Sequence, residues 1–445
     1  MNKANSIIDM IKKTDFIALR QKLDSMNIVD IAAELETMDG QDAIIAFRIL
    51  SKDKAADVFA YLEPDNQQSI IEYIDENEIG GIVDELFLDD AVDFIEEMPA
   101  NVVKRVLANV TPDRRRMINS FLLYPKDSAG SIMTIEYVSL KSNMTVADSF
   151  AHIRSTGTDR ETIYTCYVTD NERRLIGLVT ARALFLSDKE KLVHEIMEPH
   201  VIYSRTHDDR EELIDSFRKY GFIAMPVVDN ENRLVGIVTY DDALTIQEEE
   251  ATEDFEKMAA MSPSEKPYLK TSILSLSKNR VPWLFLLNLS VFITGAVVKS
   301  FEDALAVMPV LVTFIPMLMD TSGDAGSQSS TLIIRGMALG EIKPTNFFAV
   351  LWKELRVAFI CGGFLAIINF TRVIVFNRAF GLALATSLAL LTATVLAKTV
   401  GAMLPLGARF IKIDPAVMAG PILTTFVDAA SLTVYFSLAM LILRI

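Results

Sequence analysis

"GPILTTFVDAASLTVYF", residues 420–436, lies in an apolar run from Ala416 to the neighbourhood of Leu443 that carries one charged side chain, Asp428. The run is long enough to cross the roughly 30 Å hydrocarbon layer of a bilayer as a helix. A carboxylate at the centre of such a helix costs roughly 2.5 to 3.5 kcal/mol on insertion scales, so it normally faces protein or water. The stretch therefore reads as a membrane helix with a compensated acid. Thr424 and Thr425 stand four and three residues before Asp428, and Ser431 stands three after. Helical spacing puts Thr424, Asp428 and Ser431 on one face, where they can hydrogen-bond water around an ion. The alternative is a structural pairing of Asp428 with Lys398 in the preceding apolar run.

Working back from that helix, the apolar runs predict five spans at 281–299, 304–334, 355–374, 379–405 and 416–443. With the N-terminus cytoplasmic, the inner loops hold Lys278, Arg280, Arg335, Lys343, Lys353, Arg356, Arg409 and Lys412. The outer segments hold only Lys299, Arg372, Arg378 and Arg444. That bias supports the orientation and puts the C-terminus outside. The second span reads as broken, because "PMLMDTSGDAGSQSSTLIIRG" (316–336) combines Pro316, three glycines, Asp320 and Asp324. Polar, glycine-rich sequence at membrane depth is tolerated beside a water-filled cavity or inside protein, so this stretch is expected to border the path.

The part before the membrane is a different material. Up to residue 278 the chain has 51 acidic against 31 basic residues, a net charge of −20, whereas the remainder is net +4. So acidic a region repels nucleic acid and attracts cations. Two cysteines, Cys166 and Cys361, give no ligand spacing and no disulfide framework, and the polar N-terminus lacks a signal-peptide core, placing the start of the chain in the cytoplasm. Residues 5–125 carry repeated amphipathic phrases such as "AADVFAYLEPD" and "AVDFIEEMPAN", which predict a short, irregular all-α superhelix. A duplication follows. "IYTCYVTDNERRLIGLVTARAL" (163–184) returns as "FIAMPVVDNENRLVGIVTYDDAL" (222–244), matching Asp170 to Asp229, Gly177 to Gly236 and Thr180 to Thr239. Strand, Asp-Asn turn, strand and helix in each copy resemble a tandem pair of α/β CBS domains. The second copy keeps Thr239 and Asp242, a pattern that in CBS families often contacts ribose. An adenine nucleotide such as ATP is thus a candidate ligand there. The acidic stretch "IQEEEATEDFEKMAAM" (246–261) is helical in propensity and reads either as a solvated connector or as an electrostatic element whose like charges call for cations.

All four histidines precede the membrane part, so the intramembrane inventory is carboxylates, hydroxyls, amides and carbonyls. Such hard-oxygen chemistry suits Mg²⁺, Ca²⁺ or Mn²⁺ and disfavours Zn²⁺. Mg²⁺ dehydrates reluctantly, so a polar cavity sized for the hydrated ion with few direct carboxylates would select it.

The order of parts, together with "EATEDFEKM", "GDAGSQSSTLIIRG", "GAMLP" and "DPAVMAGPILTTFVDAASLTVYF", closely resembles the MgtE family of magnesium channels over essentially the whole chain. The resemblance implies a multidomain membrane protein with a superhelical N-domain (1–127), a CBS pair (128–245), a connecting helix and linker (246–278) and a five-helix pore domain (279–445). It implies a homodimer in the cell membrane that conducts Mg²⁺, with Asp428 holding a largely hydrated ion. By the same likeness, intracellular Mg²⁺ is bound by Asp57, Asp90 and Asp93, by Asp209, Glu211 and Asp242, by Glu250, Glu253 and Asp254, and by Asp414. Asp324 stands where the family usually carries Asn, and Gly221 and Thr245 stand where some members have acids. Two other readings remain open: an ion-coupled secondary transporter and a non-conducting membrane sensor. Neither a P-loop nor a phosphorylated-aspartate motif of a pump is present, and no enzymatic site is visible.

Overall fold

Capping residues cut the amphipathic phrases into ten helices of nine or ten residues between Ala4 and Phe121 in the computed structural model of the chain. That structure describes residues 4–264, 268–269 and 271–444. In order they are α1 (Ala4–Lys12), α2 (Phe16–Ser25), α3 (Ile28–Glu36), α4 (Gly40–Ile49), α5 (Lys52–Ala60), α6 (Pro64–Tyr73), α7 (Glu76–Glu85), α8 (Leu88–Glu97), α9 (Ala100–Asn109) and α10 (Pro112–Phe121). Asp15, Asn27 and Thr111 accept from backbone N–H groups at their helix starts, and Asp75 with Glu78 closes a capping box. Helices α3, α5, α7 and α9 pack in one row and α4, α6, α8 and α10 in another, a two-layer superhelix. Phe59 and Phe94 meet edge to face between the rows, 5.0 Å apart.

The duplication folds as two matching three-stranded sheets. The first holds β1 (Tyr137–Lys141), β2 (Thr162–Thr169) and β3 (Leu175–Thr180), and the second β4 (Ser204–Arg205), β5 (Ala224–Val228) and β6 (Leu234–Thr239). In both, the first pair is parallel and the second antiparallel. Helices α11 (Val146–Thr156), α12 (Ala181–Leu186), α13 (Val193–Ile196) and α14 (Arg210–Tyr220) flank them, and α15 (Tyr240–Met258) leaves the second copy. The Asp-Asn turns are built alike: Asp170 accepts from the N–H groups of Glu172 and Arg174, and Asp229 from those of Glu231 and Arg233. The paired glycines have a packing reason. A Cβ on Gly177 would meet Met197 Sδ at 2.7 Å, and one on Gly236 would meet Met133 Sδ at 2.8 Å. Each copy's leading segment thus lies across the other's sheet. The superhelix core runs on without a break into Phe217, Met225 and Val238 of the second copy and into Met133 of the first copy's leading segment.

Residues Met1–Glu248 and Glu249–Ile445 form separate compact units. The second contains α16 (Ile273–Ser300), α17 (Glu302–Val307), α18 (Ile315–Ala338), α19 (Phe347–Asn377), α20 (Phe380–Phe410) and α21 (Pro421–Leu443). Among the described residues, four helical segments are long and apolar enough to cross a membrane: 273–300, 344–377, 380–410 and 415–443. Helix α20 is central, packing on α18, α19 and α21. The expected first span, 281–299, lies inside α16, with Pro282 in the helix interior. One expectation is corrected. The break in the second span falls earlier than the glycines, in the 3₁₀ turn Pro309–Phe314, and residues 315–338 are one continuous helix. Pro316 sits in the first turn of α18, where a missing N–H costs nothing. Gly326 serves contact instead: a Cβ on Gly401 of α20 would collide with the Gly326 carbonyl, and one on Gly326 would meet Ala397 O at 3.3 Å.

Candidate ion path and cation sensor

Helix α18 has two unlike faces. Ser322, Ala325, Gly326, Ser329, Ile333 and Ile334 are buried, while Asp320, Asp324, Gln328, Thr331 and Arg335, with Leu332 among them, are exposed at helical spacing. Such a polar stripe along a helix of membrane length is not a lipid-facing surface. On α21, Asp428 is half-buried and faces the charge of Asp320 across the helices. Asp428 makes no ion pair among the described residues. Lys398 turns elsewhere, donating to Gln328 Oε1 at 3.3 Å and Ser329 Oγ at 3.5 Å. Thr424 is half-buried and donates to the Gly420 carbonyl at 3.3 Å. Ser431, expected beside Asp428 on an open face, is fully buried with its hydroxyl unpartnered, so that end of the stripe turns into the protein.

Beside α21's entry lie the acids of the connecting helix. Lys257 Nζ donates to Asp414 Oδ2 at 2.7 Å and to Glu253 one turn back. Burial pulls the Lys257 ammonium down, but its bonds to Asp414 and Glu253 outweigh that and hold it above its usual range. Asp414 also caps the turn Pro415–Met418, accepting from Ala416 N–H at 2.8 Å. Asp254 is pushed up by burial and by Asp414, against the pull of Lys257 and Arg335. Glu250 is half-buried on the same helix. A Cβ on Gly420 would meet Met258 O at 2.8 Å, so the end of α15 abuts the start of α21.

In the first unit, Asp89 and Asp90 of α8 share one electrostatic neighbourhood with Glu136, Glu161, Asp241 and Asp242 from both CBS copies. Burial first, then Asp242 and the other acids, pushes Asp90 up to about 7 and Glu161 to about 8. Burial and Asp241 raise Asp242 to about 6 against the Thr239 hydroxyl, which donates to it. Asp89 is driven well up by its burial and Asp242. Asp93, on the exposed side of α8, is pushed the same way by the surrounding protein and by Asp90 and Asp242. Arg114 relieves Asp90 slightly and pairs with Glu136 at 3.4 Å. Asp57 is exposed and raised by partial cover and by Asp53. Asp209 caps α14, accepting from the N–H of Glu211, which is exposed in that helix's first turn. Thr239 and Asp242, the candidate ribose contacts, are brought together but bonded to each other. Among the described residues no three His, Cys, Asp or Glu side chains form a ready coordination shell. The acids of α8 and the CBS pair are near enough to raise one another's pKa.

Comparison with known proteins follows the same division. The profile of the MgtE intracellular N domain matches residues 26–127, the CBS domain profile matches 129–188 and 193–249, and a divalent cation transporter profile, MgtE, matches 315–438. The magnesium transporter MgtE of Thermus thermophilus is 34% identical over 445 residues, 99% of this chain and 98% of that one. The chain belongs to the MgtE family. A magnesium transporter MgtE from Enterococcus faecalis is 31% identical over 327 residues, 74% of this chain and 72% of its own. The crystal structure of the cytosolic domain of the Mg²⁺ channel MgtE in complex with ATP matches with a TM-score of 0.52 at 35% identity, over 55% of this chain and 99% of that one. The chain is accordingly a multidomain membrane protein of a magnesium-transporter family, with an N-domain, a CBS pair and a helical membrane part.

Sequence reasoning missed Asp89, Glu136, Glu161 and Asp241 in the acidic neighbourhood, and Lys257 beside Asp414. Only Asp89 left a signal. It stands three residues before Val92 on the buried face of α8, an acid where the helical pattern calls for an apolar residue.

Proposed function

We propose that the chain is a Mg²⁺-selective channel of the cell membrane, working as a homodimer and admitting Mg²⁺ to the cytoplasm down its electrochemical gradient. In this reading α16 and α18–α21 are the five spans, the first unit is cytoplasmic and the C-terminus is outside. The observation that carries it is Asp428, unpaired at mid-helix and opposite Asp320 on a helix whose exposed stripe is polar. A passing hydrated cation supplies the compensation that this carboxylate otherwise lacks. Thr424 adds a hydroxyl to the water shell.

Intracellular Mg²⁺ closes the channel in this proposal. Cations bridging Asp57, Asp90, Asp93, Asp209, Glu211 and Asp242 turn mutual repulsion into attraction. Others at Glu250, Glu253, Asp254 and Asp414 keep the connecting helix on the pore mouth. An adenine nucleotide at Thr239 and Asp242 is proposed as a modulator, in line with the ATP bound by the related cytosolic domain. To accept it, the Thr239 hydroxyl has to exchange its bond to Asp242 for one to ribose.

The test is Mg²⁺ flux into proteoliposomes. Asp428→Asn is expected to abolish it, and wild-type flux is expected to follow voltage and the Mg²⁺ gradient alone. Dependence on a second ion's gradient would favour a coupled transporter, and undiminished flux in the variant would remove Asp428 from the path.

A further inference from the structure

Lys398 of α20 and Glu354 of α19 are buried charges, 5% and 9% exposed, in the membrane part of the chain, and neither reaches Asp428. They are joined through α18. Ser329, 1% exposed, donates to Glu354 Oε2 at 2.7 Å, while Lys398 donates to the Ser329 hydroxyl and to Gln328 Oε1. Gln328 belongs to the exposed polar stripe of α18 and Ser329 to its buried side. One turn away on each helix, Gly326 and Gly401 bring the backbones of α18 and α20 into contact. The glycine crossing lets the two backbones approach closely and itself disfavours turning a side chain into the contact, and the hydrogen-bonded network one turn away adds directional ties to it. Ser330, the next buried hydroxyl, has no partner and gives no such grip.

We propose that the Lys398–Ser329–Glu354 network sets the rotational register of α18, and thereby which of its side chains meet the permeating ion. Lys398 and Glu354 are positioning residues for conduction. A slip of one residue turns an α-helix by about 100°, which would carry Asp320 and Asp324 away and bring Ala325 round. Carrying a lysine and a glutamate in a membrane interior is costly unless each is paired. Placing them on either side of a serine of the third helix ties all three elements at once. The inference rests on the reading of α18 as a wall of the conduction path.

The test separates the two. In full-length protein with Cys166 and Cys361 replaced by alanine, single cysteines at Asp324 and at Ala325 are probed with a membrane-impermeant thiol reagent, and Mg²⁺ against Ca²⁺ flux is measured alongside. Without further change, Asp324→Cys is expected to react and Ala325→Cys to stay protected. Adding Lys398→Met, or Glu354→Met where the lysine variant fails to fold, is expected to raise labelling at 325 by at least about threefold, the shift that loss of a single interhelical membrane hydrogen bond allows, and to lower the Mg²⁺ preference. Lys398→Arg is expected to keep both. A Lys398→Met/Glu354→Gln double variant that regains the original labelling and selectivity would overturn the inference, since the charges would then only compensate each other. Unchanged labelling in every variant would overturn it too. Because labelling does not depend on flux, undiminished transport by Asp428→Asn would count against the conduction path and leave the register readout intact.

Discussion

Burial first, and then the acids around them, raises the pKa of Asp90, Glu161 and Asp242, and that has a sign. In the unfolded chain each ionises near pH 4; in the folded one they reach about 7, 8 and 6. Between those values the native state holds protons that the unfolded state has released. Without divalent cations, stability therefore declines as pH climbs from about 4 to 8, by about 1.4 kcal/mol per pH unit for each extra proton held. The thermal unfolding midpoint of the full-length protein in EDTA is expected to drop between pH 5.5 and 8, and Asp90→Asn to flatten that slope. A midpoint climbing steadily through the interval would show that these carboxylates are not buried against one another. At this scale sequence legibility was uneven. Asp428 could be read from its apolar surroundings alone, whereas Asp90 and Asp242 came only through family likeness. Glu136 and Glu161 stand in ordinary surface-like sequence and become crowded only when α8 and the two CBS copies pack together.

Among the elements, α15 has the most direct consequence. Its Lys257 sits between Glu253 and Asp414, a tethered cation where free Mg²⁺ is proposed to act. A partly exposed ion pair of this kind is worth roughly 1 kcal/mol, about fivefold in a two-state equilibrium. Lys257→Met is expected to raise Mg²⁺ flux by about that factor when internal Mg²⁺ is removed, with Lys257→Arg near wild type. Asp414→Asn on top of Lys257→Met is expected to add little, since the pair is already broken. Flux unchanged by Lys257→Met would mean that the pair does not bear on the gate. The elements themselves were largely legible where local chemistry decides them. The Asp170 and Asp229 turns and the Gly177 and Gly236 contacts recur because each is dictated within a few residues or by one neighbouring methionine. Helix α18 was misjudged because Pro316 and Gly326 act as breakers in isolation, whereas in place one starts the helix and the other is a contact surface for α20.

For the molecule as a whole, the division of charge matches a division of cores. The large apolar cluster of the acidic region draws on residues from Ile7 to Ala243, and the main cluster of the membrane part on residues from Val297 to Leu443. Among the described residues the two clusters have no side chain in common, so deleting the acidic region removes none of the membrane cluster's own members. Deleting residues 1–240 is therefore expected to leave a protein that still admits Mg²⁺ to liposomes. What it loses is the decline of flux as Mg²⁺ rises on the cytoplasmic face. A tenfold bias of the gate needs only about 1.4 kcal/mol of differential binding, which several weak carboxylate sites acting together readily supply. The truncated chain retains Glu250, Glu253, Asp254 and Asp414. If its flux still falls with Mg²⁺ as the full chain's does, sensing resides at those four acids beside α21, and the acids of α8 and the CBS pair have another role.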